Sequence, residues 1–318
     1  MTAARIRLIA PSGYPHDAAA MARGVARLRA AGCAVEGAEV LERRDLRFAG
    51  TDAQRAADLA DLLGAAELPD IALAVRGGYG AVRLLERLDY QRWRERLSGS
   101  PLVLVGHSDF TALQAALHAR AGQISFAGPM LGPDFGAPRL DALTWSAFWR
   151  TVSAPRGQAC WHTGQQDLAL DVEGPLWGGN LAVLCSLLGT PYFPRIDAGI
   201  LFVEDVGEAP YRVERMLYQL QLAGVLDRQR ALLLGDFSRC RPSGYDGGYD
   251  LPDAFAQLRA LTRVPVLGGL PMGHEPAKFT LPFGAPARLV AEGGAARLDF
   301  SGYPHGRFEA PAMPPENP

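Results

Sequence analysis

Among the many serines, glutamates and histidines of this 318-residue chain, three stand where acyl transfer could use them. They are Ser108 in Gly106-His107-Ser108-Asp109-Phe110, Glu204 in Leu201-Phe202-Val203-Glu204-Asp205, and His274 in Pro271-Met272-Gly273-His274. A serine hydroxyl is a weak nucleophile near neutral pH unless a base takes its proton. An imidazole acting as that base needs a carboxylate to fix its tautomer and stabilise its charged form. The order Ser108, Glu204, His274 supplies one candidate for each role. Each also has a plainer reading. Ser-Asp ahead of an apolar helical run is an ordinary helix N-cap, two acids after an apolar strand can be a solvated turn, and a loop histidine can simply face water. The usual nucleophile elbow has glycine two residues after the serine, where this chain has Phe110.

The elements around these residues place each of them without deciding between the two readings. The apolar run 102–105 lies between Pro101 and Gly106 and predicts a buried strand. Phe110, Leu113, Ala116 and Leu117 then follow at helical spacing, so Ser108 falls in a strand-to-helix turn. Backbone N–H groups at such a helix start point at whatever the serine attacks. A second apolar run, 71–75, breaks into Arg76-Gly77-Gly78-Tyr79-Gly80. These glycines match neither the dinucleotide fingerprint nor the Walker A spacing. They fit either a tight structural turn or an oxyanion hole, which needs backbone N–H groups close to the substrate. His16, His118, His162 and His305 have no accompanying pattern, and His107 adjoins the serine only in sequence, where neighbouring side chains usually diverge. His274 is therefore the better base.

Strand and helix alternate through the first half of the chain. Strands are expected at 5–10, 33–41, 71–75, 102–105 and 124–127, and helices at 16–30, 52–63 (capped by Thr51) and 110–121, with helical spacing again at Val82, Leu84, Leu85 and Leu88. This predicts a parallel sheet covered by helices, with ligands bound beyond the carboxyl ends of its strands. Pattern is lost around 129–156 apart from a Trp-rich helix at 142–150. Beyond it come strands at 167–172, 200–203, 231–234, 279–281, 288–291 and 296–300, a turn at Trp177-Gly178-Gly179, and helices at 180–188 and 211–222. The expected division is an N-terminal α/β domain at 1–135, a linker at 136–165, a mixed or barrel-like domain at 166–309, and a frayed Pro-rich tail at 310–318.

A formal net charge of −2 leaves no basic excess for a nucleic-acid backbone. No signal-peptide pattern opens the chain and no apolar run is long enough to span a bilayer, so a soluble cytoplasmic protein without membrane contact is expected. The four cysteines, Cys33, Cys160, Cys185 and Cys240, have neither zinc-site nor disulfide-framework spacing. No metal or cofactor is called for.

Six ordered motifs resemble one family. They are Ile9-Ala10-Pro11-Ser12-Gly13, Ala49-Gly50-Thr51-Asp52, Arg76-Gly77-Gly78-Tyr79-Gly80 with Gly106-His107-Ser108-Asp109, Gly178-Gly179-Asn180-Leu181, Leu201-Phe202-Val203-Glu204-Asp205, and Pro271-Met272-Gly273-His274. The family is the LD-carboxypeptidases, serine peptidases acting on L,D bonds, with the related microcin-immunity peptidases. The resemblance implies Ser108 as nucleophile, His274 as base and Glu204 as its orienting carboxylate. It implies an oxyanion hole from the backbone N–H groups of Gly78 and Asp109, with Gly77 as the alternative to Gly78. It also implies a flavodoxin-like N-terminal α/β domain, a C-terminal α+β domain of β-barrel character, and a homodimer. The implied substrate is the cytoplasmic murein tetrapeptide, cleaved before its terminal D-Ala in peptidoglycan recycling. The family commonly has a bulky aromatic or aliphatic residue where this chain has His107. Arg76 and Glu208 flank the motifs without an assigned role. Two alternatives remain: an immunity-type peptidase acting on a peptide-nucleotide antibiotic, and a non-catalytic two-domain small-molecule binding protein.

Overall fold

The structure is a computed structural model and describes residues 3–315. The first half builds β1 (Arg5–Ile9), α1 (Ala18–Ala30), β2 (Ala34–Glu36), α2 (Asp52–Gly64), β3 (Ile71–Ala74), α3 (Tyr90–Leu97), β4 (Val103–Gly106), α4 (Thr111–Ala121) and β5 (Ser125–Ala127). Then follow α5 (Ala142–Val152), β6 (Arg156–His162), β7 (Leu170–Asn180), α6 (Leu181–Leu187), β8 (Gly199–Val206), α7 (Pro210–Leu222), β9 (Gln229–Ser238), α8 (Leu251–Leu261) and β10 (Val266–Leu267). The chain ends its regular structure with β11 (Leu281–Phe283), β12 (Ala285–Glu292) and β13 (Ala295–Ser301).

Two sheets organise the molecule. The first has the order β11-β5-β4-β3-β1-β2 and is parallel except for β11, which runs antiparallel to β5. Its 2-1-3-4-5 core order is that of the flavodoxin-like folds, whose ligands sit beyond the strand C-termini at the β1/β3 reversal. The central strands β3 and β4 are buried at every residue, as expected for strands covered on both faces. The second sheet has the order β10-β9-β8-β7-β12-β13-β6. Its two edges approach one another: Trp161 Nε1 donates to the Gly268 carbonyl at 3.0 Å, and Gln165 Nε2 donates to the Val266 carbonyl at 3.0 Å. These bonds give the sheet its barrel-like closure.

Several local expectations change. The strand at 33–41 shortens to β2, because only three residues pair with β1 before the chain coils into a 3-10 turn at Ala38–Leu41. The helical spacing after Gly80 belongs to a 3-10 helix, Ala81–Arg87. Trp177-Gly178-Gly179 is not a turn but the end of β7, paired with Leu201, Phe202 and Val203 of β8. A Cβ at Gly178 would fall 1.8 Å from the Phe202 carbonyl oxygen, so glycine there allows close approach of the two backbones. The stretch 136–165 contains α5 and β6, the latter an edge of the second sheet, and β11 from the C-terminal half completes the first. Of the stretch 310–318, residues 316–318 lie outside those described. The indole of Trp145 donates to the Pro311 carbonyl at 3.2 Å. Among the described residues no helix is long and apolar enough to cross a membrane.

The halves are fastened where the site lies. The backbone N–H of Asn180, at the end of β7, donates to Thr111 Oγ1 at the start of α4, 3.1 Å away. The N-terminus of α4 is thereby fixed against the second sheet.

Candidate active site

Ser108 opens the turn after β4, as the spacing predicts, and does so with φ of 61°. A non-glycine residue in the left-handed region costs roughly 1–3 kcal/mol and persists only where its surroundings impose it. Phe110 packs directly over Gly106, where a Cβ would come within 2.7 Å of its ring. In this turn the residue that must be glycine precedes the serine by two positions. That is why Phe110 can occupy the place of the usual elbow glycine.

His274 lies 166 residues further along the chain, yet its Nε2 is 3.1 Å from Ser108 Oγ. Its Nδ1 is 2.8 Å from Glu204 Oε2. With Nδ1–H donated to the carboxylate, Nε2 is left as acceptor for the serine O–H. Burial lowers the imidazole pKa, but the hydrogen bond and charge of Glu204 outweigh it, and His274 ends above its ordinary value. Glu204 is fully buried at the C-terminal end of β8. Its neighbour Asp205 faces the other way, as strand alternation requires, and accepts from Asn180 Nδ2 at 3.0 Å and Ala182 N at 2.9 Å. One carboxylate of the pair thus meets the histidine and the other caps α6. Burial pushes the Asp205 carboxyl up to about 6.

The turn after β3 brings Gly77 against the serine: a Cβ there would stand 2.9 Å from Ser108 Cβ, 3.0 Å from Oγ and 3.5 Å from the Asp109 nitrogen. The Gly77 carbonyl accepts from Gly13 N at 3.1 Å. In a trans peptide the next N–H opposes that carbonyl, so the Gly78 N–H points away from Gly13. Asp109 does not send its side chain toward the serine. Its buried carboxylate accepts from Ser12 Oγ at 2.6 Å and Ala81 N at 2.8 Å, tying the loops after β1 and β3 to the serine turn. Burial raises its pKa, opposed by these bonds.

Four contributors escaped the sequence reading. Asp236, in β9, accepts the backbone N–H groups of both His274 and Glu275 at 3.0 Å through one oxygen, Oδ2, and so holds the histidine loop. Ser12 holds Asp109. Lys278 and Asp134 form a buried ion pair in the cavity wall. His107 does not diverge from the site. Its ring stands edge-on to His274 with centroids 5.2 Å apart, and Nδ1 lies 3.0 Å from the Gly128 carbonyl, to which it can donate. Burial pushes His107 down to about 3, so its imidazole stays neutral near neutral pH. The cavity that Ser108 and His274 face has a volume of about 350 Å³ and is also lined by Arg76, His107, Asp134 and Lys278. Glu208 takes no part, pairing at 3.8 Å with Arg212 on α7.

The chain matches the LD-carboxypeptidase N-terminal domain over residues 6–128 and the LD-carboxypeptidase C-terminal domain over residues 173–289. A crystal structure of muramoyltetrapeptide carboxypeptidase from Oxalobacter formigenes superposes with a TM-score of 0.86 at 41% identity, covering 94% of this chain and 99% of that one. The murein tetrapeptide carboxypeptidase of Pseudomonas aeruginosa is 36% identical over 271 residues, 81% of this chain and 83% of the relative. The microcin C7 self-immunity protein MccF of Escherichia coli is 28% identical over 298 residues, 82% of this chain and 83% of the relative. On the strength of both domain matches and these likenesses over most of the chain, it belongs to the LD-carboxypeptidase family.

Proposed function

We propose that the protein is a serine L,D-carboxypeptidase that removes the terminal D-Ala from murein tetrapeptides. The observation that carries this reading is the continuous hydrogen-bonded line from Ser108 Oγ through His274 to buried Glu204, at 3.1 and 2.8 Å. His274 Nε2 takes the serine proton as Oγ attacks the carbonyl carbon of the L-centre preceding D-Ala, and Glu204 stabilises the imidazolium that forms. The developing oxyanion is received by the backbone N–H groups of Gly78 and Asp109. Collapse expels D-Ala, whose amine takes the proton from His274, and leaves an acyl group on Ser108. Water, deprotonated by the same histidine, then releases the shortened peptide. No metal or cofactor enters these steps.

The setting proposed is cytoplasmic recycling of peptidoglycan, with the protein acting as a homodimer. The strained serine turn and the bond from the Ser12 hydroxyl to the Asp109 carboxylate support a preorganised nucleophile. The reading is tested by giving one preparation a muramyl tetrapeptide and a peptidyl-nucleotide. Faster hydrolysis of the tetrapeptide, with release of D-Ala, is expected. Preferential cleavage of the peptidyl-nucleotide would assign the immunity-type activity. Failure of Ser108 to react with a fluorophosphonate probe would point to a pure binding protein.

A further inference from the structure

The cations around the cavity differ in how they are satisfied. Arg23 donates to the Gly136 carbonyl through Nε at 2.9 Å and Nη2 at 2.6 Å. Lys278 is paired with Asp134. Arg76 lines the same cavity, but among the described residues no carboxylate stands within ion-pair distance of it. Among the described residues its one hydrogen bond runs from Nη1 to the Tyr14 carbonyl, 2.9 Å away. The Asp109 carboxylate, whose charge reaches it from further off, is already engaged by Ser12 and Ala81. Arg47 adds a like charge nearby, and burial itself pulls the Arg76 pKa down.

A half-buried guanidinium without a counter-ion is costly. An anionic ligand would offset that cost. The position of this one is specific. Arg76 directly precedes Gly77, where an added Cβ would stand 2.9 Å from Ser108 Cβ, and its guanidinium lies along Gly13 and Gly78, where added Cβ atoms would come within 3.1 Å of Nη1 and 3.5 Å of Nη2. Nη1 is held by Tyr14, whereas among the described residues no hydrogen bond engages Nε or Nη2, and the Nε–Nη2 edge of a guanidinium matches a carboxylate bidentately.

We propose that Arg76 is a specificity residue that receives the free α-carboxylate of the substrate, confining cleavage at Ser108 to the last peptide bond. This rests on the carboxypeptidase reading above and adds to it a residue-level reason for acting only at a chain terminus.

The test compares a tetrapeptide ending in D-Ala with the same peptide ending in D-alaninamide. The wild-type protein is expected to favour the acid by roughly 100-fold or more in kcat/KM, and Arg76→Gln to bring that ratio near 1. Arg76→Lys is expected to fall between them. An acid-to-amide ratio that survives in Arg76→Gln, even with both rates lowered, would overturn the proposal and assign Arg76 to holding the Tyr14 loop. Calorimetric binding of both peptides to Ser108→Ala, with and without Arg76→Gln, needs no turnover and separates this proposal from the reaction itself. The acid should bind more tightly only when Arg76 is present. Equal binding of acid and amide to Ser108→Ala would reject the carboxylate site, whereas absence of turnover by the wild type would reject the reaction alone.

Discussion

Replacing Gly77 with alanine probes the packing of the glycine turn against the serine. Gly77 does not take a positive φ, so alanine fits its backbone and the only change is one methyl group. That methyl would meet Ser108 Cβ at 2.9 Å and Oγ at 3.0 Å, where ordinary van der Waals contact begins at 3.4 Å. Relief requires a displacement of about 0.5 Å, and a misplacement of ~1 Å can cost on the order of 100-fold in rate. Ser108 is the part that must give, since its neighbour Asp109 is fixed by Ser12 and Ala81. Oγ then leaves its 3.1 Å contact with His274. We therefore expect kcat for D-Ala release to fall roughly 10- to 100-fold, with a stability loss of about 1–3 kcal/mol from overpacking. Steady-state kinetics on tetrapeptide and thermal melting read the two effects separately. Gly244→Ala, whose added Cβ meets nothing within 4 Å, serves as the control. Wild-type kcat in folded Gly77→Ala would refute the placement of the serine between the glycine turn and the histidine.

Glu204→Gln removes the negative charge that holds His274 above its ordinary pKa. Because the base works only when deprotonated, the acid limb of the kcat/KM profile should move to lower pH, while the plateau falls roughly 1,000- to 10,000-fold; an unmoved limb would contradict the assignment. Asp236→Ala leaves the N–H groups of His274 and Glu275 without their shared acceptor. It should cost about 1–3 kcal/mol in chemical denaturation and lower kcat more than it raises KM; unchanged stability and kcat would show that the loop is held by other contacts.

What the sequence disclosed was local. Buried strands such as β3 and β4 are continuous apolar runs, and Ser108, Glu204 and His274 each sit where such a run or a glycine loop ends. The partners that hold them are distant: Asp236 reaches His274 across 38 positions, and Asp134 reaches Lys278 across 144. No spacing rule announces such pairs. Glycine was ambiguous for a related reason, since Gly178 serves close strand approach and not the turn its type suggests. Helices α3 and α8 each bury only two residues, Trp93 and Leu97 in one and Ala254 and Leu258 in the other, which leaves little apolar periodicity to read. Closure of the second sheet depends on Trp161 and Gln165 meeting the far edge, a consequence of sheet curvature that composition does not encode.

Attack by Ser108 on the bond before D-Ala is the step from which the proposed activity follows. Mass-spectrometric measurement of D-Ala released from purified muramyl tetrapeptide, by the wild type and by Ser108→Ala of unchanged melting temperature, addresses it directly. Release by the wild type and its loss by roughly 1,000-fold or more in the variant is the expected result. Undiminished release by Ser108→Ala would contradict it.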